Sequence, residues 1–292
     1  MTLVLSLAPR VTCTKMGTIK HLSADWEQWV RTNVCRGVPA AVLIEEMVGK
    51  DFDRAFATAS VMRRSPQTAP VGMADLEPSR ISSGSRIAIE DHSIAVVSRI
   101  QSPDIAVLDN VLSHEECDAL IALSRSKLAR STTIDPATGA EQVIDARSSE
   151  GTYFMRGENA IVSRIEKRLA ILNGVSVENG EGLQILHYGT GGEYQPHFDF
   201  FEPQDPGSAA HLKTGGQRVC TTIMYLNDVD AGGETIFPEI HLSVSPRKGA
   251  AVCFSYCDSQ GALDRLTLHG GAPVKHGEKW IATKWVRQGA HV

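Results

Sequence analysis

The spacing of apolar positions changes near residue 86. Between residues 23 and 62 it is helical: Trp26, Trp29, Val30 and Val34 fall close to i, i+3, i+4 and i+8 behind Ser23, a residue suited to cap a helix. Gly37 stops that helix, Pro39 opens a second (PAAVLIEEMVGK) in its first turn, and Gly49 closes it. DFDRAFATASVMRR supplies a third helix. Residues 63–85 lose all periodicity, are rich in Pro, Ser and Gly, and read as a linker.

Beyond Arg86 the pattern shortens to strand-like runs: RIAIED, IAVVSR and DIAVLDNVL. Ser113 with Glu116 three residues on forms a capping box that opens the helix HEECDALIALSRS, so His114 and Cys117 are read as helix-start chemistry, not as a metal pair. Asp135–Gly139 is a turn between ARSTTI and EQVIDAR. One more helix is expected over Glu158–Leu172, followed by LQILHY, EYQPHFDF, RVCTTIMYLN, ETIFP, HLSVSP, GAAVCFSY, LTLHGG and KWIATKWVRQ. Many short strands broken by Gly, Pro and Asp predict a mainly β chain with flanking helices (α+β). Its expected core is a double-stranded β-helix, or jelly roll, behind a small helical N-terminal region. The expected division is 1–62 (extension and helices), 63–100 (linker and first strands) and 101–292 (the main domain).

Composition narrows this picture by exclusion. The chain has 292 residues, 42% hydrophobic and 22% charged, with a net charge of −5, so no basic excess suggests a nucleic-acid partner. No apolar run is long enough to span a bilayer. The start, MTLVLSLAPRVTCTKMG, lacks a basic flank and its apolar stretch is cut by Pro9 and Arg10, so neither a signal peptide nor a membrane partner is expected. Met16 is an alternative natural start. The six cysteines (Cys13, Cys35, Cys117, Cys220, Cys253, Cys257) form no Cys-x-x-Cys pair and read as free thiols of a cytoplasmic protein. The N-terminal helices read either as a dimerisation or substrate-docking module, with a homodimer as the expected partner state, or as a cap on the main domain.

The chemistry gathers in Leu183–Phe201, LQILHYGTGGEYQPHFDFF. On an extended segment after Pro196, His197 and Asp199 point to one face. They supply two corners of a 2-His-1-carboxylate site for non-haem Fe(II). A third ligand is sought among His211, His241, His269, His276 and His291. His211 and His291 sit in solvated settings, and His241 and His276 flank turns. His269 ends the run LTLH before Gly270 and Gly271, where small residues allow close backbone approach, and it is the choice made here. Lys279 follows in GEKWIATKW. Strand alternation puts Lys279, Ile281, Thr283 and Trp285 on one face and Trp280, Ala282 and Lys284 on the other, where Lys284 reads as an ordinary solvated lysine. Taken bare, a strand lysine reads as a surface charge; its placement after His269 makes it the buried cation that an iron oxygenase using 2-oxoglutarate needs for the distal carboxylate.

From about Ala106 to Gln288 the chain resembles the catalytic domain of the prolyl 4-hydroxylase family of Fe(II)/2-oxoglutarate dioxygenases. The segments that carry the likeness are LHYGTGGEYQPHFDFF, GGQRVCTTIMYLNDVDAGGETIFP, PRKG, LHGGAPV and GEKWIATKW. The resemblance implies metal ligation by His197, Asp199 and His269, and a grip on the 2-oxoglutarate C5 carboxylate by Lys279. It implies a hydrogen bond to the co-substrate from Tyr188, assisted by Thr221, beside which Thr222 is adjacent. Tyr194 and Trp285 match substrate-side aromatic positions. The implied reaction couples oxidative decarboxylation of 2-oxoglutarate to succinate and CO2 with hydroxylation of peptidyl proline. Fe(II), 2-oxoglutarate, O2 and L-ascorbate are the implied cofactors and co-substrates, and a proline-containing protein or peptide is the implied partner. Asp199 in place of Ala or Gly argues against a halogenase, and the lysine anchor argues against a nucleic-acid demethylase. A related hydroxylase acting on another residue or a small molecule is the alternative, and a non-catalytic metal-binding barrel is the second. The loop Glu202–Gln217 reads as a lid over a peptide or as a variable surface loop, and Ala231–Thr235 as a tight turn.

Overall fold

The computed structural model describes residues 19–35, 38–62, 79–89, 92–144, 146–258 and 260–291. The Met16 start, the Gly37 helix stop, the Cys13 thiol and most of the expected linker lie outside the described residues. The chain divides into two units, Met1–Leu76 and Glu77–Val292.

In the first unit three helices, α1 (Ala24–Cys35), α2 (Ala40–Val48) and α3 (Arg54–Met62), surround their own core of Trp26, Trp29, Val30, Leu43, Met47 and Phe52. Ser23 Oγ accepts from the Trp26 amide at 3.4 Å and caps α1. Trp26 meets Trp29 and Phe52 edge-on at 5.1 and 4.8 Å, which explains why the apolar stripe of α1 is aromatic.

The second unit is built on a nine-stranded antiparallel sheet. Its strands run in the order β1 (Arg86–Ile89), β2 (His92–Gln101), β3 (Asp104–Asp109), β14 (Ala251–Ser255), β10 (Arg218–Tyr225), β17 (Lys279–Arg287), β8 (Leu183–Tyr188), β7 (Glu150–Phe154) and β4 (Ala129–Arg130). A four-stranded sheet orders β13 (Leu242–Val244), β12 (Thr235–Phe237), β15 (His269–Gly271) and β9 (Tyr194–His197). Two small pairs complete it: β5 (Thr133–Ile134) with β6 (Glu141–Gln142), and β11 (Ala231–Gly232) with β16 (Val274–His276).

One face of the large sheet packs against the small sheet through Leu186, Tyr188, Ile223, Tyr225, Ile281, Phe237 and Val244. The other face is covered by α4 (His114–Ser124) and α5 (Ala160–Asn173), whose Leu120, Ile165 and Leu169 meet Ile185, Met224 and Ala282. The architecture is therefore the double-stranded β-helix with flanking helices, as the strand pattern indicated. A short helix, α6 (Ser208–Leu212), lies within the loop 202–217.

Helix coverage corrects one residue. Every position of β17 is buried, so Lys284 is not solvated: it is 3% exposed, and its Nζ donates to Glu166 Oε1 of α5 at 2.5 Å. Alternation assigned its face correctly, but that face carries helices, not water. Glu158 likewise lies outside α5. Asn159 caps that helix by accepting from the Ile161 and Val162 amides at 3.0 Å, and Gly174 ends it at φ 63°.

Candidate metal and co-substrate site

Register brings the third histidine to the first two residues. β15 runs antiparallel to β9 with His269 directly opposite His197. The approach is close because residue 270 is glycine: a Cβ there would stand 2.8 Å from the Tyr194 carbonyl oxygen and 3.1 Å from the Pro196 nitrogen. Asp199 lies two residues beyond His197, and ligand atoms of His197, Asp199 and His269 all fall within 4.8 Å of one another.

Hydrogen bonding aims both rings. His197 Nδ1 lies 2.9 Å from the Gln195 carbonyl oxygen and His269 Nδ1 lies 3.1 Å from that of Thr267. A carbonyl only accepts, so each Nδ1 donates and each Nε2 is the nitrogen left facing the other two residues. The two Nε2 atoms stand 3.6 and 3.5 Å from the Asp199 oxygens. Burial pushes His269 down to about 4, which keeps it neutral. Burial would raise the Asp199 carboxyl, but His269, His197 and Arg218 hold it well below the usual range. Two imidazoles turned inward by their Nε2 atoms and one ionised carboxylate form the donor set that a divalent transition metal takes up, so these residues fit Fe(II).

The triad opens into a cavity of about 490 Å³ lined by Tyr188, Tyr194, Arg218, Thr235, Lys279 and Trp285 among others. Lys279 is 3% exposed and faces Tyr188 across the β17–β8 pair, its Nζ 5.6 Å from that ring. Its Nζ makes no hydrogen bond or ion pair among the described residues. Burial pushes its pKa down to about 8, opposed by Glu234. The cavity thus presents a desolvated cation with room beside it, as a dicarboxylate requires. Tyr194 stacks on His197 at 3.7 Å, and Trp285 lies under the Arg218 guanidinium at 4.1 Å.

Thr221 is placed differently from expectation. Its hydroxyl donates to Asp199 Oδ2 at 2.7 Å, so it orients the carboxylate of the triad and does not sit beside Lys279. The threonine on the Lys279 side of the cavity is Thr235, which pairs with Gly271 and receives the Tyr225 hydroxyl at 2.8 Å. Parity along β10 cannot reveal this, because which sheet residue meets Asp199 depends on how the two sheets face each other. His211 is half-buried and held in place: it stacks on Phe201 at 5.0 Å and its ring nitrogen bonds the Gly139 carbonyl at 2.9 Å. Arg147 and Arg218 line the cavity and carried no sequence signal, since each begins or precedes a strand in a turn-rich stretch.

The fold and donor set are those of an iron oxygenase, and the family described as "2OG-Fe(II) oxygenase superfamily" matches residues 183–287. The chain is 39% identical over 226 residues to prolyl 4-hydroxylase 5 of Arabidopsis thaliana, a match covering 71% of this chain and 75% of that protein. It is 38% identical to prolyl 4-hydroxylase subunit alpha-1 of Mus musculus over 64% of this chain and 35% of that one. Among solved structures, viral collagen prolyl hydroxylase of Paramecium Bursaria Chlorella virus-1 in its 2OG complex superposes with a TM-score of 0.50 and 32% identity, over 63% of this chain and 95% of that one. The chain belongs to the prolyl 4-hydroxylase family of 2OG-Fe(II) oxygenases. Membership implies Fe(II), 2-oxoglutarate and O2.

Proposed function

We propose that the protein hydroxylates peptidyl proline at C4, consuming 2-oxoglutarate and O2 and releasing succinate and CO2. One observation carries the reading. Two imidazole lone pairs and a carboxylate converge within 4.8 Å beside a cavity that also holds an unneutralised lysine. His197, Asp199 and His269 would hold Fe(II) from one side, leaving the other side for co-substrate and O2. When bound, the iron supplies the O2 activation that couples co-substrate decarboxylation to C–H hydroxylation. Lys279 neutralises the far carboxylate of 2-oxoglutarate, and the Tyr188 hydroxyl donates to it. Thr221 keeps the Asp199 carboxylate turned toward the metal position. Tyr194 and Trp285 flank the proline ring of the substrate, and ascorbate keeps the iron ferrous.

The peptide assignment draws on the relatives, which include plant prolyl 4-hydroxylases and a viral collagen prolyl hydroxylase. Incubation with Fe(II), 2-oxoglutarate, ascorbate and proline-rich peptides is expected to give succinate and 4-hydroxyproline in equal amounts. The His197→Ala protein is expected to give neither. Succinate formed with no oxidised peptide, across a panel of proline-rich sequences, would overturn the peptide assignment.

A further inference from the structure

Arg147 is a buried cation to which the proposed reaction gives no task. It is 5% exposed, and its partners are neutral: Ser149 Oγ at 3.2 Å, the Thr132 carbonyl at 2.7 Å, Gln184 Oε1 at 3.3 Å and the Tyr188 side chain. No carboxylate among the described residues pairs with it. A buried charge kept on neutral partners costs stability, so its other contacts matter. Its guanidinium carbon lies 4.9 Å over the Tyr194 ring. His197 stacks on that same ring at 3.7 Å and 23°, so Tyr194 is held in contact with both the imidazole and the guanidinium.

The backbone holds this arrangement in register. Arg147 bridges Tyr194, the Gln195 amide donates to the Ala146 carbonyl at 2.9 Å, and the Ser148 amide donates to the Glu193 carbonyl at 3.1 Å. The two histidines differ in what encloses them. His269 has Phe254 and Phe237 beside it at 4.6 and 5.8 Å, and its side chain is 4% exposed. The His197 side chain is 23% exposed, and the Tyr194 ring is its principal wall.

We propose that Arg147 is a positioning residue for the metal end of the site, holding the Tyr194 ring against His197 and so fixing the direction of the His197 Nε2 lone pair. The proposal rests on the reading of His197 as a metal ligand. It assigns Arg147 no contact with metal or co-substrate. Lysine in its place keeps the charge but loses the planar fork that stacks and bonds several acceptors at once.

The test is Co(II) titration of the full chain, which reads the ligand set by visible absorption without turnover. Arg147→Lys is expected to weaken Co(II) binding about tenfold or more and to alter the absorption bands, as loss of a ligand-orienting contact does. Succinate per hydroxylated peptide rises. Tyr194→Phe keeps the stack and binds Co(II) like wild type. In a Tyr194→Ala background, Arg147→Lys adds no further loss. Wild-type Co(II) affinity and spectrum in a folded Arg147→Lys protein would overturn the proposal, as would an undiminished loss in the Tyr194→Ala background. If Arg147→Lys does not fold, weaker Co(II) binding by Tyr194→Ala than by Tyr194→Phe supports the stack, and equal binding overturns it. Failure of the wild-type protein to bind Co(II) would instead sink the metal reading beneath it.

Discussion

At the scale of single residues, Lys279 shows how a site can cost stability. Its pKa falls from 10.5 to about 8 on burial, so the unfolded chain binds the proton more tightly than the folded one. Between those values the unfolded state holds more protons, and stability therefore rises with pH from about 8 to 10.5. Below 8 the penalty is present in full, on the order of 3 kcal/mol. Lys279→Met is expected to raise the stability of the metal-free protein near pH 7 and to abolish that rise; urea unfolding of both proteins at pH 7 to 10, compared by difference, measures it. On the proposed role of Lys279, the same substitution leaves a buried 2-oxoglutarate carboxylate without its cation, so co-substrate affinity is expected to fall at least about 100-fold. Calorimetry of 2-oxoglutarate binding to both proteins gives that ratio. A variant that gained no stability would mean that the cation is not desolvated in solution.

At the scale of elements, two contacts join secondary structure to the site and to the helical layer. Gly270 lets β15 approach β9, at an ordinary backbone angle, so its need for glycine is purely one of space. Gly270→Ala puts a methyl against backbone atoms that cannot swing aside. The expected result is His269 displaced from His197, with Co(II) affinity reduced more than tenfold while the far-UV dichroism stays as it was. Glu116 is the second contact. It completes the α4 capping box on the Ser113 amide at 3.0 Å and also receives Arg168 of α5 at 2.7 and 3.0 Å. Burial would raise its pKa, but Arg168, the Ser113 amide and Arg164 bring it down to about 2 from 4.5. A carboxyl lowered on folding adds stability above its unfolded value that is lost as pH falls toward 2. Glu116→Gln should therefore lower the urea midpoint at pH 7 and flatten its fall between pH 4.5 and 2 relative to wild type. Leaving Arg168 buried without its anion makes the loss at pH 7 about 3 kcal/mol or more.

At the scale of the whole molecule, what the sequence discloses depends on the range of the interaction. The capping box, the α1 stripe, the hairpin at Asp135–Gly139 and the placement of Lys279, Ile281, Thr283 and Trp285 on one face are all set within a few residues, and all were readable. The i, i+2 spacing of His197 and Asp199 is equally local, whereas the meeting with His269 depends on register across a gap of about seventy residues and was reached only through glycine chemistry and family likeness. The contacts of Lys284, His211, Thr221 and Arg147 were not readable, because each side chain is defined by an element far along the chain that lies over it.

This bears on the division of the chain. Every residue of the two apolar clusters around the large sheet belongs to Glu77–Val292, as does every residue of the triad and its cavity, while the helical unit has a separate core of its own. A core made, among the described residues, entirely of residues from 81 onward has the burial it needs to fold alone. The protein beginning at Glu77 is accordingly expected to unfold cooperatively in urea. It should also bind Co(II) and 2-oxoglutarate within about twofold of the full chain, since among the described residues all that line the site belong to the second unit. Turnover of long proline-rich peptides is where a docking role for the helices would show, as a raised KM with kcat unchanged. Loss of Co(II) binding on truncation would mean that the first unit supports the site directly, and would place its role in holding the metal instead of in presenting substrate.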